Sequence, residues 1–391
     1  MAPTAAPGPG FVPPPYPHDR LATLRRLADA LPGGVVDCSV GTPVDPMPEI
    51  ALAALRDAAP GATGYPPSIG TLDLREAASA WLARRFGVTV APDDVIACVG
   101  TKELVASLPH YLHLRDPSRD TVLYPGVSYP TYEMGATLAG CRAVPVPLDP
   151  EWMLDVDLVS ENDAQRALVL WLNSPGNPTA AVATSDQLAK LVDWARARGV
   201  IVASDECYAE FVAGDPGEGA PAPVTALSAG SDGVLAMHSL SKRSNMAGLR
   251  CGFLAGDGEL VRYLGEVRKH AGMIVPAPVQ AAATAALGDE THVDVQRERY
   301  ARRRALVLSG LESHGLVHDG GPGLFYLWLR SAEETDDGWE IAARLAEAGT
   351  LVAPGNLYGA AGADHVRLAL TQPEDRLELA LERLAASAAR A

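Results

Sequence analysis

Six short apolar runs recur along the chain, at residues 95–99, 121–124, 167–172, 200–204, 234–238 and 252–255, with amphipathic helical patterns between them. A strand that is apolar on both faces has to be covered on both. Strands separated by helices connect most simply in parallel. The alternation therefore predicts an α/β architecture, a large domain built on a mostly parallel central sheet. Beyond it, strand patterns at 324–329 and 366–370 mix with helical patterns at 338–348 and 374–388, which predicts a smaller α+β domain. A long helical stretch is expected over 279–315. Residues 1–17, rich in Pro, Ala and Gly, read as an extended arm. Residues 18–31 place Leu21, Leu24, Leu27, Ala28 and Leu31 at helical spacing, and Pro32-Gly33-Gly34 ends that helix. The expected layout is an arm (1–17), an N-terminal segment packing on the small domain (18–45), a large domain (46–285) and a small domain (286–391).

Composition narrows the function. Of 391 residues, 48 are acidic and 32 basic, for a net charge of −16. Such a chain is poorly suited to phosphate backbones or anionic membrane surfaces, so neither nucleic acid nor membrane is expected as a partner. No apolar run approaches the roughly 18 residues of a membrane span. The first residues carry neither a basic nor an apolar signal segment, so a cytoplasmic protein is expected. Cys38, Cys98, Cys141, Cys207 and Cys251 have no metal-ligand or redox spacing, and they read as small buried thiols; no metal is expected. Only four lysines are present, Lys102, Lys190, Lys242 and Lys269, so any lysine chemistry has four candidates.

In a parallel sheet, ligands sit outside the carboxyl ends of the strands. The residues that follow each apolar run are therefore informative. Gly100-Thr101-Lys102 opens a helix after the first run: a phosphate site, or an ordinary Thr cap with a glycine turn. After the second come Tyr129 and Tyr132, able to stack on a flat ring or simply packing in a loop. Asn173-Ser174-Pro175-Gly176-Asn177-Pro178-Thr179 forms a rigid loop, and Asn-Pro invites a cis bond. Asp205 and Tyr208 follow the fourth run; a carboxylate at a buried strand end needs a partner, such as a protonated ring nitrogen or a salt-bridging cation. Ser239-Leu240-Ser241-Lys242 and Arg250 follow the fifth: a nucleophilic lysine with a phosphate-clamping arginine, or a solvent-facing basic loop. Taken together, groups for a phosphate, a ring face, a ring nitrogen and an imine-forming lysine match the needs of pyridoxal phosphate.

Over these motifs the chain resembles the fold-type I, class I/II pyridoxal-phosphate aminotransferases, from about residue 11 to the C-terminus. The resemblance implies pyridoxal 5'-phosphate as cofactor, with Lys242 joined to it and shuttling the proton. Asp205 would hold the ring nitrogen, and Asn177 and Tyr208 the ring oxygen. Tyr129 would stack on the ring, while Gly100, Thr101, the backbone near Lys102, Ser239 and Arg250 would bind phosphate. Arg367, in Val366-Arg367-Leu368-Ala369, would hold the substrate α-carboxylate beside Asn177. Gly41, in Val40-Gly41-Thr42-Pro43, would lie along the substrate. Tyr65 would reach the phosphate of a second subunit, which implies a homodimer. The family's Asn-Pro-Thr-Gly ends here in Ala180, where a positive φ would carry mild strain.

Three segments resemble, more narrowly, actinobacterial succinyldiaminopimelate aminotransferases: Ser39 to Pro46, Asp205-Glu206-Cys207-Tyr208 and His238 to Asn245. Arg268-Lys269-His270 adds to them. That likeness implies ping-pong transfer from L-glutamate to N-succinyl-2-amino-6-oxopimelate, in lysine and diaminopimelate biosynthesis. For the distal carboxylate, Arg243 is the candidate by its place beside Lys242. The alternatives are a paralogue on another substrate in a secondary-metabolite pathway, a β-lyase or decarboxylase with the same cofactor site, and a non-catalytic pyridoxal-phosphate regulator. Gly320-Gly321-Pro322-Gly323 lacks the spacing and the strand–helix setting of a dinucleotide site.

Overall fold

The structure is a computed structural model and describes residues 10–214, 222–312, 314–333 and 336–388. In chain order the strands are β1 (Val36–Asp37), β2 (Val95–Cys98), β3 (Thr121–Pro125), β4 (Arg142–Val146), β5 (Ala167–Asn173), β6 (Ile201–Asp205), β7 (Val234–Ser239), β8 (Gly252–Gly256), β9 (Leu316–His318), β10 (Tyr326–Ser331), β11 (Thr350–Leu351), β12 (Ala353–Pro354) and β13 (His365–Ala369). Seven of them form the central sheet, in the order β2-β8-β7-β6-β5-β3-β4. The block from β7 to β4 is parallel throughout. β8 runs antiparallel to both β7 and β2. The expected mostly parallel α/β sheet is therefore present.

Period-two side-chain alternation explains why these strands read as apolar throughout. Leu170, Leu172, Val202 and Ala236 enter one apolar cluster, with Trp81, Leu188 and Val192 from helices on that side. Their neighbours Val169, Trp171, Ala203 and Met237 enter the opposite one, with Leu108, Tyr132 and Leu264. A third cluster lies around β10 and β13 and the helix Gly338–Glu347. There β12-β13-β10-β9 form an antiparallel sheet, and β1 pairs with β11.

Three expectations change. The stretch 279–315 is not one helix but two, Ala277–Leu287 and Thr291–Glu312. The chain turns at Gly288, and the Asp289 carboxylate takes the free N–H groups of Thr291 (3.3 Å) and His292 (3.2 Å) at the second helix start. The helix expected over 18–31 begins as a 3-10 turn, Pro17–Leu21, and continues as Ala22–Asp29. Of the expected arm, residues 1–9 lie outside the described residues, and residues 10–16 have no regular structure. Among the described residues no helix is long and apolar enough to cross a membrane, and no cluster of potential metal ligands is found.

Candidate active site

Parallel strands end side by side, so Asn173, Asp205 and Ser239 emerge together at the carboxyl ends of β5, β6 and β7. They open into a cavity of about 470 Å³. At one end is an anion cradle. Gly100, at φ +72°, turns the chain into the helix Thr101–Arg115, and a Cβ there would collide with the Arg250 guanidinium. Arg250 itself holds a left-handed φ of +56° and donates from Nη1 to the Ala247 carbonyl (3.0 Å). Ser239 caps the short helix Leu240–Arg243, accepting from the Ser241 N–H at 3.2 Å. Two hydroxyls, a helix N-terminus and a planar guanidinium thus converge on one spot.

Lys242 extends from that short helix into the cavity. Its Nζ donates to the Gly41 carbonyl and lies 5.4 Å from the Phe325 ring centroid. Burial, helped by the positive charges of Arg367 and Arg250, pulls its amine down to about 8, against the opposing pull of Cys207 and Asp205. The other lysines differ. Lys190 and Lys269 are exposed in pairs with Asp157 and Glu266. Lys102 does face the cavity, but although burial acts to lower its amine, contacts with Tyr16 and Tyr129 outweigh that and hold it above its ordinary value.

The Asp205 carboxylate is buried at the cavity floor, and that burial raises its pKa. It accepts from the Tyr132 hydroxyl (2.9 Å) and from the Cys207 N–H (3.3 Å). Tyr132 is itself pinned by stacking on Trp171, centroids 4.8 Å apart. Asn173 bridges the loop, donating to the Asp205 carbonyl (2.8 Å) and accepting from the Asn177 N–H (2.8 Å). Both Ser174-Pro175 and Asn177-Pro178 are cis. Arg367 enters from β13. It donates to Asn177 Oδ1 (2.8 Å) and to the Ser39 carbonyl (2.6 Å), between the rings of Tyr326 (4.3 Å) and Tyr358 (4.9 Å). Its Nε is buried without a partner among the described residues. Tyr208 and Tyr326 share a hydroxyl contact of 2.8 Å, and a Cβ on Gly41 would collide with the Tyr326 hydroxyl.

Gly41, Thr101, Lys102, Tyr129, Asn177, Asp205, Tyr208, Ser239, Lys242, Arg250 and Arg367 all line this one cavity. Gly100 stands behind Arg250. Tyr65 is 97% exposed and does not line it. Ala180 has φ +58°, as its place in the motif implied. Gly320-Gly321-Pro322-Gly323 lies against this turn: the N–H groups of Gly321 and Gly323 donate to the carbonyls of Thr179 and Ala180, both at 2.9 Å, leaving no room for a Cβ. One expectation is overturned. Arg243 does not face the cavity but is buried on the other side, against Glu210 (3.3 Å) and the Ala286 carbonyl (2.7 Å). Successive helical residues diverge by about 100°, so a helix that aims Lys242 at the site aims Arg243 away from it. Sequence reasoning missed Tyr16, His18, Cys207 and Tyr326 on the wall; Tyr132, read as a ring-stacking or loop tyrosine, lies instead beneath the cavity, on Asp205.

An anion cradle, a buried carboxylate and an amine of lowered pKa in one cavity fit pyridoxal phosphate and point to the class of enzymes that use that cofactor. The family description "Aminotransferase class I and II" matches residues 34–384. The chain is 48% identical to the probable aminotransferase Rv1178 of Mycobacterium tuberculosis, over 95% of this chain and 85% of the relative. It is 45% identical to the 4-dedimethylamino-4-oxo-anhydrotetracycline transaminase OxyQ of Streptomyces rimosus, over 95% and 99%. A probable N-succinyldiaminopimelate aminotransferase from Thermus thermophilus superposes with a TM-score of 0.84 at 32% identity, over 93% of this chain and 98% of that one. The chain belongs to the class I and II aminotransferases and is a pyridoxal-phosphate-dependent aminotransferase.

Proposed function

We propose that this enzyme takes the amino group of L-glutamate and delivers it, in a second half-reaction at the same site, to N-succinyl-2-amino-6-oxopimelate. The observation that carries a dicarboxylic substrate is a pair of cations, Arg367 and Lys102, on the cavity that also holds Lys242. Arg367 takes the α-carboxylate: its Nε lacks a partner among the described residues, and two tyrosine rings and Asn177 fix its plane. Lys102, charged at neutral pH, takes the distal carboxylate, and Tyr16, whose hydroxyl lies 3.0 Å from its Nζ, closes over it.

When bound, pyridoxal phosphate supplies the electron sink that renders the substrate α-hydrogen acidic. Thr101, Ser239, Arg250 and the amides after Gly100 would anchor its phosphate. Tyr129 would cover the ring face, Asn177 and Tyr208 would bond the ring oxygen, and Asp205 would keep a proton on the ring nitrogen. Lys242 Nζ would take the proton from the donor α-carbon; its lowered pKa suits it to act as a base near neutral pH. The Gly41 carbonyl steadies the amine between transfers. Tyr65 serves the phosphate of a second copy, in a homodimer; its nearly full exposure in the single chain supports that role.

The relation to the anhydrotetracycline transaminase favours a second reading, in which the acceptor is a ring ketone of a secondary metabolite. A two-stage assay separates the two. Loaded enzyme with L-glutamate alone should release one 2-oxoglutarate per site and stop. Adding N-succinyl-2-amino-6-oxopimelate should then restore the starting absorbance and consume the acceptor. Release without restoration would leave the transaminase and refute this acceptor; no release would refute glutamate as donor.

A further inference from the structure

His18 is a titratable group on the cavity wall that the roles above leave unused. It sits in the 3-10 turn Pro17–Leu21, with Tyr16 stacked against it at 5.8 Å. Its Nε2 lies 3.2 Å from the Ser39 carbonyl, the same oxygen that accepts from Arg367 at 2.6 Å. A carbonyl only accepts, so this contact assigns the hydrogen to Nε2 and leaves Nδ1 as the atom that gains or loses a proton. Three charged groups face the ring: Arg367 from β13, Lys102 from the helix Thr101–Arg115, and Asp37 from β1. Burial lowers the imidazole pKa, and the repulsion of Arg367 and, more weakly, Lys102 adds to it. The Ser39 carbonyl and Asp37 act the other way without cancelling the effect. The ring therefore favours its neutral form at neutral pH while no carboxylate sits on Arg367 and Lys102.

The two cations that repel a charged His18 are the two that the reading above gives to the substrate carboxylates. We propose that His18 is a substrate-recognition residue that takes a proton from solvent at Nδ1 when a dicarboxylate occupies Arg367 and Lys102, adding a third positive charge to the site. The proposal rests on that dicarboxylate reading. Docked carboxylates cancel the repulsion and bring negative charge beside the ring, so the bound state holds the proton more tightly than the free state. Binding is then strongest at acid pH and weakens as pH rises through the bound-state titration, by about tenfold for each unit separating the two states.

The test is calorimetry of maleate, a dicarboxylate without an amine, binding to the cofactor-loaded full chain in buffers of different ionisation enthalpy, from about pH 5.5 to 8. The comparison is His18→Gln, whose amide can still donate to the Ser39 carbonyl but cannot titrate. Wild type should take up more protons than H18Q, by on the order of half a proton at the midpoint, and its affinity should rise about three- to tenfold more on acidification. Uptake common to both proteins belongs to other groups, Lys242 foremost. Histidine-selective NMR gives a second readout: the signal lost in H18Q should titrate at higher pH with maleate than without. Equal uptake and parallel pH profiles in the two proteins, or a His18 signal indifferent to maleate, would overturn the proposal. Maleate binding that survives both Arg367→Ala and Lys102→Ala would refute the dicarboxylate reading instead, and the role of His18 would fall with it.

Discussion

Lys242 gives a prediction whose size follows from its surroundings. Its amine is lowered from 10.5 to about 8, with burial the leading cause. Only the neutral amine attacks an aldehyde. At pH 7 about a tenth of such an amine is neutral, against roughly 3 in 10,000 for an ordinary lysine, a gain of about 300-fold. Lys102, held above its ordinary value, gains nothing. The sign is that of a base of depressed pKa: the reactive form accumulates as pH rises toward 8 and then saturates. Stopped-flow mixing of the cofactor-free protein with pyridoxal phosphate tests this. The rate of attachment should climb about tenfold per unit below pH 7.5 and level off near pH 8 to 8.5. A control with Lys242→Ala should show no attachment, and borohydride reduction with peptide mapping should find the label on Lys242 alone. A rate still climbing tenfold per unit beyond pH 9, or label on Lys102, would show that burial does not tune this amine.

Other consequences are as direct. Arg367→Ala leaves the α-carboxylate without its guanidinium, and kcat/KM for glutamate should fall about 30- to 1,000-fold with cofactor binding retained, checked by steady-state rates beside a cofactor titration. Asp205→Asn removes the acidic partner of the ring nitrogen; single-turnover release of 2-oxoglutarate should slow by about two orders of magnitude or more, and a near-wild-type rate would remove Asp205 from the chemistry. Glu210 is buried, contacting Arg85 (2.9 Å), Arg243 (3.3 Å) and the Trp81 indole N–H (2.9 Å). Glu210→Ala leaves Arg85 and Arg243 only the Glu290 carboxylate, at 3.6 and 3.4 Å, and should cost about 1.5–3 kcal/mol in chemical unfolding, whereas an unchanged midpoint would mean that water replaces the carboxylate. Tyr65→Phe should weaken cofactor binding without shifting the unfolding midpoint. Mixing it with Lys242→Ala should restore one competent site per mixed dimer if Tyr65 acts across subunits.

How much of the fold was legible depended on where each strand sits. β5, β6 and β7 lie inside the sheet, and consecutive residues such as Leu170 and Trp171 feed opposite clusters, so the apolar run itself reports the strand. β4 escaped notice because it is the sheet edge: Arg142 and Pro145 are exposed, and the run is broken. β1, β11 and β12 are two-residue pairings that exist only once distant segments meet. The mostly parallel direction was legible, but the reversal of β8 was not. β8 follows β7 without a helical crossover, over the short connection that carries both Lys242 and Arg250, and it returns antiparallel. The same economy of chain brings the lysine and the arginine to one end of the cavity.

The site divides along the same line. Asp205, Ser239 and Lys242 stand at or just past strand ends, so local sequence alone determines where their side chains emerge, and the class of chemistry could be read from them. Arg367 was reachable only through the family resemblance, because nothing local marks one arginine on an inner strand as facing the cavity. Tyr326 comes from the second sheet and His18 from the N-terminal turn; each reaches the cavity through the docking of segments far apart in sequence, which no local pattern encodes. Arg243 failed for the complementary reason, since adjacency along a helix is not adjacency in space. The residues proposed to hold the cofactor thus come from local motifs, and those proposed to hold the substrate from long-range contacts. The reaction type was legible in the sequence before its substrate because the residues proposed to select the acceptor meet only in the assembled fold.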